Sequence, residues 1–227
     1  MQDRLKAIKE RIALAAKRSG RDASDIKLVA VSKTMPAESL LRAIDCGLTL
    51  FGENYIQEAR EKVNALYAHP VSWHFIGHLQ SNKAKYAVKM FDLIHSVDSL
   101  KLAREIDKQA GKIEKIQNVL VQVNIAEETS KSGVPADEAP KLIKEMGQLE
   151  HIAIKGLMTM PPYFNAPDKV QPYFAALREL RDQIQSLAIP GISMAELSMG
   201  MTGDFEAAIQ EGATLVRIGT AIFGERQ

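Results

Sequence analysis

Two cations stand where the pattern of apolar residues should exclude them. The first, Lys33, closes the run Leu28-Val29-Ala30-Val31-Ser32, whose small and β-branched residues read as a short buried strand. Side chains alternate faces along a strand, so Val29, Val31 and Lys33 share one face. If that face lines a packed interior, the lysine emerges at its C-terminal mouth, where parallel α/β folds assemble their chemistry. A desolvated amine at such a mouth suits imine formation with a carbonyl. Taken alone, the stretch favours the plainer alternative of a solvated lysine between strand and loop.

The second cation, Arg217, interrupts the strand Leu215-Val216-Arg217-Ile218, where burying an unpaired guanidinium is costly. Either a buried carboxylate such as Glu196, on the preceding strand, answers it, or a ligand does. Two short stretches add a third signal. Ser198-Met199-Gly200 and Gly219-Thr220 offer hydroxyls, glycines and free backbone N–H groups, the donors that hold phosphates. In barrels the segments after the seventh and eighth strands often form such a site. These glycines can equally serve tight turns alone.

The elements that must position these residues follow a simple grammar. Leu5, Ile8 and Ile12 predict an amphipathic helix over residues 1–20, stopped at Ser19-Gly20. Strands then follow at 28–33, 49–51, 72–76, 93–95, 118–124, 152–157, 193–197 and 214–218, with a helical pattern after each of the first seven. Asp98 is the expected cap of the helix that carries Leu100, Ala103 and Ile106. Eight strands alternating with helices imply a parallel sheet. We read it as one α/β domain over residues 1–227, a closed (β/α)8 TIM barrel spanning 27–224 behind the N-terminal helix. An open doubly wound sheet is the alternative, weakened because no glycine-rich dinucleotide fingerprint follows the first strand.

Composition narrows the function classes. A net charge of +1 gives no electrostatic case for nucleic acid or an acidic membrane surface. One cysteine, Cys46, excludes an internal disulfide and a cysteine-built zinc site. The N-terminus lacks an apolar leader and no run approaches membrane-spanning length, so a cytoplasmic protein is expected. His74 and His78 are separated by Gly77, and His69, His95 and His151 are scattered singly, so no metal site is expected. No Gly-x-Ser-x-Gly elbow supports a serine hydrolase. Lys83, Lys85 and Lys89 form a basic helical face, read as solvated.

Together the lysine, the arginine and the hydroxyl–glycine stretches suit pyridoxal 5′-phosphate. The amine can take its aldehyde as an imine, and the guanidinium can donate to its ring nitrogen. Nearly the whole chain resembles the YggS/PROSC family of pyridoxal-phosphate homeostasis proteins. The resemblance is carried by Val29-Ala-Val-Ser-Lys33, Phe51-Gly-Glu-Asn-Tyr55 and Trp73-His-Phe-Ile-Gly-His-Leu-Gln-Ser-Asn-Lys83. It continues through Lys155-Gly-Leu-Met-Thr-Met160, Leu197-Ser-Met-Gly-Met201 and Val216-Arg-Ile-Gly-Thr-Ala-Ile-Phe-Gly224. Met201-Thr-Gly-Asp204 varies a stretch that often has Ser or Asp after the methionine.

The resemblance implies a barrel like the N-terminal domain of alanine racemase, with the cofactor as an imine on Lys33. It also implies Arg217 at the pyridine nitrogen, Ser198, Gly219 and Thr220 at the phosphate, and Asn54 beside the ring. It implies a non-enzymatic monomer that buffers or delivers the cofactor in vitamin B6 homeostasis, with client apoenzymes as partners. Chemistry points the same way. Arginine only donates, so it keeps the pyridine nitrogen unprotonated and weakens the electron sink, although alanine racemases place an arginine there too. Racemisation also needs a second acid/base on the opposite face. The domain that supplies it in racemases is not expected after the eighth strand, and nothing singles out Tyr55 or Tyr163 as a substitute. The alternatives are an amino-acid racemase of the same fold, and a protein whose basic face recruits a partner while its cofactor is structural.

Overall fold

The computed structural model describes residues 1–128, 131–162 and 167–224. Among the described residues nine strands occur in chain order: β1 (Lys27–Val31), β2 (Leu50–Glu53), β3 (Ser72–Phe75), β4 (Leu93–Val97), β5 (Gln117–Asn124), β6 (Val134–Pro135), β7 (Ile152–Met158), β8 (Glu196–Ser198) and β9 (Leu215–Ile218). The helices are α1 (Gln2–Arg18), α2 (Ala37–Asp45), α3 (Ile56–Ala65), α4 (Ala84–Met90), α5 (Leu100–Gly111), α6 (Ala139–Met146), α7 (Pro167–Ser186), α8 (Phe205–Gln210) and α9 (Thr220–Phe223).

The sheet runs β4-β3-β2-β1-β9-β8-β7-β5, and pairing of β4 with β5 closes it into an eight-stranded ring, with β6 added beside β5. Every ladder is parallel. Closure rules out the open doubly wound sheet and establishes the (β/α)8 barrel. Parity does the sorting. Ala30, Ile94, Val121, Leu157, Leu197 and Val216 face the helices in the main core, whereas Val29, Leu93, Leu120, Met158 and Leu215 form a separate cluster inside the ring. Burying both faces explains why these strands read as apolar runs rather than as alternations. α1 buries Leu5, Ile8 and Ile12 and packs on α8 and α9.

Three local expectations need correction. β1 ends at Val31, so Lys33 lies in the turn beyond the strand. The cap of α5 is Ser99, whose hydroxyl accepts from the Leu102 N–H at 3.4 Å, one residue later than Asp98. Ladder pairing of β8 starts only at Glu196, opposite Gly156, although Ser193 N–H already donates to Ile154 O.

Inside the ring, side chains close over Gly52. A Cβ there would lie 2.8 Å from Val29 Cγ1 and 3.0 Å from Ile76 Cδ1, so a larger residue would need those side chains to shift.

Candidate functional site

β1 and β9 are neighbours, and their register sets Val29 opposite Arg217. Arg217 therefore sits inside the ring, two residues beyond the interior Leu215, and Lys33 follows at the C-terminal end of the adjoining strand. Lys33 is half-buried there. Gly219 closes the gap between the two strands, since a Cβ on it would lie 3.1 Å from Val31 O. Thr220 opens α9 beside it and is exposed. The first N–H groups of a helix lack intrahelical acceptors, so this turn presents donors at the mouth.

Arg217 is 4% exposed. Its Nη1 donates to Ser198 Oγ at 2.6 Å and its Nη2 to Thr159 O at 2.9 Å. Both acceptors are neutral. Desolvation pushes the guanidinium down to about 10, and Asp204 in the turn after β8 draws it partly back. Among the described residues no carboxylate lies within ion-pair distance of it. Glu196 is not its partner: that carboxylate pairs with Lys27 and accepts from Thr214 Oγ1 at 2.6 Å, at the N-terminal mouth.

Ser198 departs from its expected use. Its hydroxyl is fully buried between Arg217 and His95, whose Nδ1 lies 2.8 Å away. The side chain is committed to the barrel interior, and because Met199 N–H donates to Leu215 O and Met201 N–H to Asp204 Oδ1, the Gly200 N–H is the donor this turn can offer an anion at the mouth. His95 in turn places Nε2 3.0 Å from His74 Nδ1. Neither histidine was singled out by sequence reasoning. The signal was present: Leu93 and His95 share a face of β4, and a polar residue at an inward position of a buried strand is the same anomaly that marks Arg217.

A second polar group braces the outer side of the mouth. Glu53, at the end of β2, is fully buried and its Oε1 accepts from Ser32 Oγ at 2.6 Å and from Lys62 Nζ at 2.7 Å. Lys62 also donates to Ser32 O at 2.7 Å, so α3 is tied to the residue before Lys33. Burial raises the Glu53 carboxyl, with Lys62 and Ser32 opposing the shift. The next residue, Asn54, is half-buried, and its Oδ1 is buried without a hydrogen-bond partner. Tyr55 is 55% exposed, and Tyr163 lies outside the described residues. On the basic face, Lys85 Nζ stands 4.8 Å from the ring centre of Tyr86.

The arrangement can therefore donate strongly to a neutral acceptor from inside the ring, present backbone N–H groups to an anion at the rim, and bring Lys33 to the same mouth. The chain that carries it is similar to known proteins. The alanine racemase N-terminal domain family matches residues 4–227. The pyridoxal phosphate homeostasis protein of Aquifex aeolicus is 46% identical over 225 residues, 99% of this chain and 98% of that one. The structure of PipY from Synechococcus elongatus with PLP bound superposes with a TM-score of 0.83 at 38% identity, covering 96% of this chain and 100% of that one. An alanine racemase of Clostridium difficile 630 shares the fold, with a TM-score of 0.74 at 16% identity over 99% of this chain and 57% of its own.

Proposed function

Because the chain belongs to the pyridoxal phosphate homeostasis proteins, built on the alanine racemase N-terminal domain, we propose that it holds pyridoxal 5′-phosphate at the C-terminal mouth and supplies it to apoenzymes in the cytoplasm, acting as a monomer. The observation that carries this reading is the buried guanidinium of Arg217, hydrogen-bonded among the described residues to neutral acceptors, on the strand beside the one that delivers Lys33. Among the described residues two of its five N–H groups have acceptors, so others can serve a ligand, and a ring nitrogen would accept one of them.

The residues present fit the cofactor. Asn54 Oδ1 is a buried acceptor without a donor, and Gly219 brings a backbone donor turn against β1. The Lys33 amine would take the aldehyde as an imine, Gly219 and Thr220 with the backbone after Ser198 would hold the phosphate, and Asn54 would border the ring. When bound, the cofactor supplies an electrophilic aldehyde carbon and an aromatic ring able to accept electrons. Arg217 cannot deliver a proton to the ring nitrogen at ordinary pH, so it holds that ring in its weaker electron-accepting form. A site built this way suits holding and handing on more than turnover.

Borohydride reduction of protein titrated with pyridoxal phosphate, followed by peptide mapping, should place one adduct on Lys33. An adduct elsewhere, or none, refutes the site. Activation of an apoenzyme by the loaded protein should outpace release of the cofactor into buffer. Equal rates would refute delivery and leave a buffer.

A further inference from the structure

Four polar side chains run in series through the barrel, where apolar residues would fill the space more cheaply. Arg217 Nη1 lies 2.6 Å from Ser198 Oγ, Ser198 Oγ 2.8 Å from His95 Nδ1, and His95 Nε2 3.0 Å from His74 Nδ1. All four residues are buried. At its far end His74 borders a cavity of about 690 Å³ at the N-terminal mouth, lined also by Lys27, Asp92, Asn118, Lys155 and Glu196. The series thus spans from the candidate cofactor site to the opposite end of the ring.

Counting hydrogens gives this series a direction. A guanidinium only donates, so Ser198 Oγ accepts from Arg217. Were the hydroxyl to accept from His95 as well, its own hydrogen would be left buried without an acceptor, which native interiors avoid. The hydroxyl therefore donates to His95 Nδ1. His95 then carries its hydrogen on Nε2 and donates it to His74 Nδ1, leaving His74 with its hydrogen on the nitrogen nearer the far cavity. Both rings must be neutral for this pattern. Burial keeps them so, pushing His74 down to about 4 and His95 well below the usual histidine range, with the charge of Arg217 adding to the effect at His95.

We infer that His95 is a positioning residue for Arg217: by accepting from the Ser198 hydroxyl it aims that oxygen at the guanidinium and so holds a remaining N–H of Arg217 toward the ring nitrogen of the cofactor. His74 acts one step behind, fixing the tautomer of His95. The inference rests on the reading of this mouth as a pyridoxal phosphate site. It explains why two imidazoles are buried beside Leu93, Leu120 and Met158, at a desolvation cost that leucine would not incur.

The test compares two ligands that differ only at the ring nitrogen, pyridoxal phosphate and its 1-deaza analogue, in the full-length protein. The parent should prefer pyridoxal phosphate. His95→Leu should lower affinity for pyridoxal phosphate about tenfold, the scale of one well-placed charged hydrogen bond, and leave affinity for the deaza analogue unchanged. His95→Asn, which keeps an acceptor at the Nδ1 position, should restore the preference. Ser198→Ala cuts the adjacent link and should lose the same preference, and the double variant should lose no more than either single one. If His95→Leu does not fold, Ser198→Ala against His95→Asn carries the same contrast. Equal affinity for the two ligands in the parent, a preserved preference in His95→Leu or Ser198→Ala, or equal losses for both ligands would overturn the inference. A parent that binds neither ligand, or binds away from Lys33, instead overturns the proposed function and this inference with it.

Discussion

Two buried cations of this barrel are solved in opposite ways. Lys62, outside the ring on α3, meets the carboxylate of Glu53 at 2.7 Å and the carbonyl of Ser32, with Glu58 3.5 Å away. Among the described residues Arg217, inside the ring, meets one hydroxyl and one carbonyl and no carboxylate. In the first arrangement charge meets charge, although Glu53 Oε2 is left buried without a hydrogen-bond partner, and the group ties β1, β2 and α3 together behind Lys33. The second is open, with a charge stripped of water and answered by neutral groups. An open buried charge costs stability in the empty protein and pays for itself only when something arrives to accept from it. Direct pairing with a carboxylate suits a cation that braces the fold, and neutral partners suit one that is to bind a ligand, the role proposed for Arg217.

The largest effect that sharpens this contrast is expected from Lys62→Met. It strands Glu53 in the core, and removing one partner of a buried pair costs about 3–5 kcal/mol, measurable by denaturant unfolding at neutral pH. A loss below about 1 kcal/mol would show that the pair is not the brace described here.

Next comes acid. His74 titrates near 6.5 when unfolded and at about 4 when folded. Between those values the unfolded chain binds the extra proton, so stability is fully present above pH 6.5 and falls as pH drops toward 4, by roughly 3 kcal/mol for this residue. His95 adds to the slope in the same direction. Melting temperature followed from pH 7 to pH 4.5 should fall less steeply in His74→Gln than in the parent. Parallel curves would mean that His74 is already protonated, or hydrated, in the fold.

The smallest stability effect is expected at Arg217. Arg217→Met relieves the desolvation of the charge but takes a donor from Ser198 Oγ and Thr159 O, and these opposed effects should leave the variant without cofactor within about 1 kcal/mol of the parent while cofactor affinity falls. A loss as large as that of Lys62→Met would abolish the distinction between the two cations.

Much of this was legible in residue order, and the reasons are local. Arg217 stands out at an inward position of a buried strand, and Lys33 as a cation closing an apolar run, although β1 ends at Val31 and strand parity does not reach it. His95 broke the same rule and passed unnoticed because scattered histidines were weighed as metal ligands rather than by strand parity. Ser198 was visible as a hydroxyl beside a glycine, and that description fits a phosphate ligand and an arginine partner equally. Glu196 was a plausible partner for Arg217 because adjacent strands carry both. Its position at the start of β8 instead sends it to the opposite mouth, where Lys27 and Thr214 take it.

By itself the sequence determined the alternation of strands and helices, the inward cations and the family, because side-chain periods of 2 and 3.6 and short motifs are properties of neighbours along the chain. Only the tertiary structure decided who meets whom across the ring. Ser198 and His95 are 103 positions apart, and their contact exists because β4 closes on β5 and the strand registers bring both side chains to one depth. Hydrogen bonds are directional and short, so a single residue of slip would turn each of those side chains to the other face and dissolve the series.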